Sequence, residues 1–373
     1  MSKKPLQGMI VLDFSQFLSG PYAGLRLADL GARVIKIEKN DSGDICRSLY
    51  ISNLELDGDS TLFHSINRNK ESFSANLKNE DDYHAVAELV KKADVVIQNY
   101  RPGVIEKLGF SYEEVKKLNP NIIYGSISGY GSDGPLIEKP GQDLLVQSFT
   151  GIPWSITSDR KKPTPYGLAI ADMITGAHLA EGILASLVRG TITGKGAKVE
   201  VSLLESTLDL MQEIFRNVLQ DYKKNYVLAP APKGIYETKD GFIALEAESV
   251  PKLGKIMNCP KLMTFEERTS WVDFKDQIKQ ILQGHFVQKS SNDLINILER
   301  EGISCAEVFN WKQLIEHEGF QILEMVQNVY RSNGTKLTTL RCPIRIDGER
   351  FLSSIGSPKV GEHNESIRRE FNF

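Results

Sequence analysis

The stretch "PYGLAIADMITGAHLAEG", residues 165–182, sets a single carboxylate, Asp172, among small and apolar residues. A lone acid ahead of an apolar helical run has two uses. It can act as an N-cap that accepts from a first-turn N–H. It can also be a nucleophile or base at a helix N-terminus, where the dipole favours its ionised form. Both uses are open to Asp172. The run from Met173 to Val188 is apolar on nearly every face and carries Gly176 and Gly182. It is therefore expected to be a buried helix in close contact with its neighbours.

Other chemistry finds little support in the pattern. Cys46, Cys259, Cys305 and Cys342 lie far apart with no C-x-x-C pair, and no two histidines stand at metal-ligand spacing, so neither a metal nor a disulfide framework is expected. Glu38 ends a strand where an acid could hold a ribose, but the preceding loop offers only Ser19-Gly20-Pro21 in place of G-x-G-x-x-G. The segment "TGKGAK", 193–198, lacks the spacing and the final Ser/Thr of a P-loop. No nucleotide cofactor is expected. Basic residues gather instead at strand ends and loops: Lys39, Lys78, Arg101 and Lys107. Such a cluster suits the phosphates of a ligand at the carboxyl edge of a sheet.

The elements that must position these residues follow from periodicity. "MIVLDF" and "RVIKIEK" read as strands around the helix "YAGLRLADLGA", a βαβ unit with a right-handed crossover. "ADVVIQNY", "NIIYGSISGYG" and "AKVEVSLLES" add three further strands. The later "GIYETKDGFIAL" reads as a hairpin turning at Asp240-Gly241, followed by helices over most of 250–300. The fold class expected is α/β: an open, Rossmann-like large domain over 1–222, a linker over 223–232 and a smaller α+β domain over 233–330. The segment 331–373 completes the chain.

Composition is that of an ordinary globular protein large enough for two domains or more. The 373 residues are 41% hydrophobic and 25% charged, with a formal net charge of -3, which gives no bias toward nucleic acid. "MSKKPLQGMIVLDF" has no leader-like apolar core, and no apolar stretch approaches the roughly 20 residues needed to span a bilayer. A cytoplasmic protein without membrane or nucleic-acid partners is expected.

Several segments, in order, resemble the class III CoA-transferases, the family of formyl-CoA:oxalate and carnitine CoA-transferases that also holds α-methylacyl-CoA racemase. They are "LDFSQFLSGPYAGLRLADLGARVIKIE", "ADVVIQNYRPGVIEKLGF", "LNPNIIYGSISGYGSDGP", "PGQDLLVQSFTG", "ADMITGAHLAEGILASL", "TGKGAKVEVSLLES" and "SPKVGEHN". The resemblance implies that Asp172 is the catalytic aspartate and Asp143 a second acid beside it. It implies coenzyme A as part of the acyl-CoA substrate, contacted by Lys39, Lys78, Asn99, Tyr100, Arg101 and Lys107, with Leu18 and Ser19 on the loop lining the site. It also implies an interlocked homodimer whose C-terminal segment returns to the large domain.

Two readings compete with a transferase working through an aspartyl-CoA thioester. One is a racemase, which needs an acid/base pair. Racemases place a histidine where this chain has Gln142, and His178, six residues beyond Asp172, points to another face of the helix. The other is a non-catalytic CoA-binding protein, for which two buried acids would be a costly burden. The chain departs from formyl-CoA transferases at Leu18, where those carry Gln, and in the small domain, where "FIALEAESVPKL" replaces a glycine-rich lid. Glu246 and Glu248 in that stretch are either solvated acids before a helix or groups turned to the active site.

Overall fold

The computed structural model describes residues 4–49, 54–155, 162–219 and 230–373; the connection expected over 223–232 lies outside them as far as residue 229. Two compact units form, one of Met1–Gln212 with Met325–Phe373 and the other of Glu213–Glu324.

The larger unit is built on six parallel strands: β1 Ile10–Asp13, β2 Arg33–Glu38, β3 Glu71–Ser74, β4 Val95–Gln98, β5 Ile123–Ser128 and β6 Ala197–Ser202. Their order is β3-β2-β1-β4-β5-β6. In the centre Leu12 lies opposite Ile35 of β2 and Val96 of β4. Both faces are covered, so the central strands read as nearly continuous apolar runs. Val11, Val34, Val95 and Ile123 join one core with Ala23, Leu27, Leu179 and Ile183, while Leu12, Ile35, Val96 and Tyr124 join the other with Leu89 and Val90.

The chain builds outward from β1 through β2 to β3 and then returns to the far side of β1 for β4. At that reversal the loops leaving the two central strands run in opposite directions, the place where open α/β sheets bind their ligands. The apolar pattern does not reveal β3, because "ESFS" carries one apolar residue, the fully buried Phe73. Its outer edge is covered from the C-terminal segment: Ser72 N–H donates to His363 Nδ1 at 3.2 Å and Ser74 N–H to Asn364 Oδ1 at 2.8 Å. A covered edge needs no charged side chains to block further pairing.

Three helices matter for the site: α1 Ser19–Asp29, α2 Asp143–Thr150 and α3 Ile170–Thr193. The third runs longer than the apolar pattern from Met173 to Val188 suggests, starting at Ile170 and stopping at Gly194, whose φ of 66° suits the left-handed cap. It lies against β5 at Gly125, where an added Cβ would meet Leu179 and Ile183 at 3.0 and 3.1 Å. It meets α1 at Gly176, where an added Cβ would sit 2.4 Å from the Ser19 carbonyl oxygen. Only glycine lets the two helices approach that closely.

The smaller unit holds a three-stranded antiparallel sheet with Phe242–Glu246 between Gly234–Glu237 and Ser304–Glu307. The hairpin turns at Asp240-Gly241, where Gly241 N–H donates to Thr238 Oγ1 at 3.0 Å. Its core forms between this sheet and helices that include Lys275–Phe286 and Ser291–Arg300. Glu246 and Glu248 are exposed, Glu246 is ion-paired with Lys233, and the next helix starts beyond them at Val250.

Candidate active site

The loop after β1 delivers Ser19 as the first residue of α1, and the close packing at Gly176 sets that residue against the start of α3. Asp172 is the third residue of α3, half-buried, with the Ser19 hydroxyl turned to its carboxylate. The capping reading of Asp172 is therefore corrected. The N-cap position belongs to Ala169, which makes no side-chain cap, and the Asp172 carboxylate is left for other work.

The cap comes from α2 instead. Asp143 Oδ1 accepts the Asp172 N–H at 3.1 Å, and the Ala171 N–H also serves this carboxylate. Asp143 is held in turn by Gln147, one turn along the same helix, whose Nε2 donates to Asp143 Oδ2 at 2.5 Å and to the Leu168 carbonyl at 3.0 Å. Gln142, at the N-cap of α2, is exposed and makes no side-chain cap bond.

This arrangement works against the helix dipole, which favours an ionised Asp172. Burial, and then the negative charge of Asp143, push the Asp172 carboxyl up to about 7, against a smaller opposing effect of the Ser19 hydroxyl. Burial also raises Asp143, against the amides of Asp172 and Ala171 and the Gln147 side chain. Two neighbouring carboxylates without a cation behave in this way, because one gains by holding a proton while the other is charged.

The remaining candidates lie along the carboxyl edge of the sheet. Lys39 follows β2, Lys78 lies four residues past β3, Arg101 follows β4 by three, and Lys107 ends the short helix Val104–Lys107. All four are exposed. Leu18 is buried against Cys46, Phe63 and Ile66, and Tyr100 packs on the core beneath the sheet. Asn99 is committed to the loop after β1: its Oδ1 accepts Gln16 N–H at 2.8 Å and its Nδ2 donates to the Gln16 carbonyl at 2.7 Å. Glu38, which a ribose would need, is ion-paired with Arg47 at 2.7 Å and accepts from Ser72 at 2.6 Å. His178 lies 3.7 Å from Asp209 on its own face of α3. Among the described residues no group of His, Cys, Asp and Glu side chains could hold a metal ion, and no helix is long and apolar enough to cross a membrane.

Two adjacent carboxylates, in a unit whose sheet edge carries the exposed cations Lys39, Lys78, Arg101 and Lys107, fit acyl chemistry on a phosphate-bearing substrate. Residues 6–364 match the family model for CoA-transferase family III. The chain belongs to that family. The transferase is 30% identical to succinyl-CoA:glutarate CoA-transferase of Mus musculus, in an alignment covering 99% of this chain and 87% of that one. It is also 30% identical to acetyl-CoA:oxalate CoA-transferase of Acetobacter aceti, with 99% and 96% covered. Among solved structures, a CAIB/BAIF family protein from Brucella suis matches it with a TM-score of 0.87 at 28% identity, over 99% of this chain and 100% of that one. The transferase is an enzyme acting on acyl-CoA, and the expected α/β class holds.

Sequence reasoning passed over two parts of the transferase's site. Gln147 stands four residues after Asp143, a spacing that places both on one helix face. The chain offered that signal, although a polar residue at such a spacing is common on any surface. The side chains that hold the loop after β1, among them Asn99, carried no sign of that role in the sequence, because Asn99 lies 83 residues along the chain from the Gln16 main chain it binds.

Proposed function

We propose that the transferase moves CoA between two carboxylic acids with Asp172 as the nucleophile. The observation that carries this reading is the Asp143–Asp172 pair: an acid raised to about 7, facing a second acid that fixes its main chain. A carboxylate of raised pKa is a better nucleophile than an ordinary one, and near neutral pH a good fraction of it is ionised.

The steps conserve the energy of the thioester, so neither ATP nor a metal is called for. Asp172 attacks the donor carbonyl carbon, the C–S bond breaks, and a mixed anhydride and CoA thiolate form. The thiolate attacks the aspartyl carbonyl, which releases the donor acid and leaves an aspartyl-CoA thioester. The acceptor carboxylate displaces the thiolate to give a second anhydride. The thiolate then takes the acceptor acyl group, and Asp172 returns as a free carboxylate. Ser19, whose hydroxyl faces Asp172, is assigned to the charge that develops on the carbonyl oxygen. Lys39, Lys78, Arg101 and Lys107 are assigned to the CoA phosphates, with Leu18 and Tyr100 beside them.

The names of the relatives carry the substrate class. Succinate, glutarate and oxalate are all small dicarboxylates, and we assign the acids of this enzyme to that class. A homodimer belongs to the same reading. The test incubates the enzyme with acetyl-, succinyl- and glutaryl-CoA in the presence of hydroxylamine, followed by peptide mass spectrometry. A hydroxamate on Asp172 that is absent from Asp172→Ala supports the covalent route. A folded, CoA-binding enzyme that transfers CoA with no adduct at Asp172 overturns it.

A further inference from the structure

The main chain that leads to Ser19 is gripped at every polar atom from the Ser15 N–H to the Phe17 N–H. Ser15 N–H donates to Asp13 Oδ1 at 3.0 Å, and the Ser15 carbonyl accepts from Lys36 Nζ at 2.7 Å. Gln16 is bound at both its N–H and its carbonyl by Asn99, at 2.8 and 2.7 Å. Phe17 N–H donates to Asp44 Oδ1 at 3.2 Å. Lys36 and Asp44 are themselves an ion pair at 2.8 Å, both essentially without solvent exposure.

This grip holds an unfavourable conformation. Phe17 has φ of 64° although it is not glycine, and the residue is 44% exposed, so burial of the side chain does little to repay the strain. A bulky residue stays in the left-handed region only where its surroundings over-determine it. Two residues later the chain enters α1 at Ser19, whose hydroxyl faces Asp172.

We propose that Lys36 and Asp44 are positioning residues for the transferase reaction, clamping Ser15–Phe17 so that Ser19 is held against Asp172. The inference rests on the reading of Asp172 as the reacting group. Neither residue touches substrate, and both act through the loop. The charges also explain each other: Lys36 lets the acceptor Asp44 be buried as a carboxylate, and a carboxylate is a stronger acceptor for the Phe17 amide than a neutral group.

The test compares Asp44→Ala, Asp44→Asn and the Lys36→Met, Asp44→Leu double variant with the wild type. The double variant removes both charges together, so it leaves no stranded ion and keeps the volume apolar. Turnover is expected to fall about 100-fold in Asp44→Ala and in the double variant, the scale set by small misplacements of reacting groups, with KM for acyl-CoA near the wild-type value. Asp44→Asn, which keeps an acceptor at the same place, restores most of the turnover. The acid limb of the double variant's kcat profile moves to higher pH, because a loosened Ser19 no longer favours the Asp172 carboxylate.

A folded double variant whose kcat and acid limb match the wild type overturns the proposal, and so does equal loss in Asp44→Asn and Asp44→Ala. The two readings fail separately. Absence of a hydroxamate on wild-type Asp172 defeats the nucleophile assignment, whereas normal trapping in wild type and equally fast trapping in the double variant defeats the clamp alone.

Discussion

Two groups of buried charge in the larger unit answer the same problem in opposite ways. Under the loop after β1, Asp13 lies between Lys70, at 2.8 Å, and Lys36, and every member of the cluster has a partner of opposite sign. Burial works to raise the Asp13 carboxyl, but the two ammonium groups bring it below the usual carboxylate range. Lys70 is itself pushed down by burial and by the like charge of Lys36, since one carboxylate is shared between two lysines. At α3 the neighbour of Asp172 is another acid, and the shift runs upward to about 7. Compensated charge keeps a carboxylate ionised as a support, and uncompensated charge suits the reactive role proposed for Asp172.

The largest effect expected from breaking this contrast is chemical. Asp172→Ala should lower kcat by about 10³-fold or more, the usual scale for removing a nucleophile, with CoA binding retained. A transfer assay beside calorimetric titration with CoA measures both. Next comes the support. Lys70→Met strands Asp13 without its nearest cation and removes donors to the Pro21 carbonyl and Asn67, so urea unfolding should show a loss of about 3–5 kcal/mol.

A smaller effect separates the clusters by pH. An acid whose folded pKa is raised binds its proton more tightly in the native state, so it costs stability as pH rises from its unfolded value through about 7. Asp172→Asn should therefore stabilise the protein by roughly 1–3 kcal/mol at pH 8 and hardly at all at pH 4. Asp13 has the opposite sign: its contribution is present above the unfolded value and lost as pH falls through its lowered one. Melting curves at both pH values decide the matter. The smallest expected change is in Asp143→Asn, which keeps an acceptor for the Asp172 amide and removes its negative charge. The acid limb of kcat should move down by roughly one pH unit.

Much of this was written in the chain. The strands β1, β2, β4 and β5 show as largely apolar runs because both faces of the sheet are covered there, whereas β6 shows as an alternation whose Lys198 and Glu200 are exposed. Asp172 stood out for the complementary reason, as a carboxylate in an apolar run. The strand β3 was hidden, since its neighbours rather than its own side chains make it a strand. The cap on α3 was misread because capping residues are normally sought just before a helix, and here Asp143 reaches it from 29 residues upstream. Lys36 and Asp44 could be read only as a strand residue and a loop acid. Pairing between distant residues leaves no periodicity to detect.

The tether between Asp143 and the amide of Asp172 has a consequence for traffic through the site. With its own peptide fastened, Asp172 can travel only by rotation about its two side-chain torsions. It is a fixed berth. If Asp172 is the nucleophile proposed above, whatever is loaded there must arrive, turn and depart by its own movement, and selection among acids falls to the approaches and not to the residue that receives them.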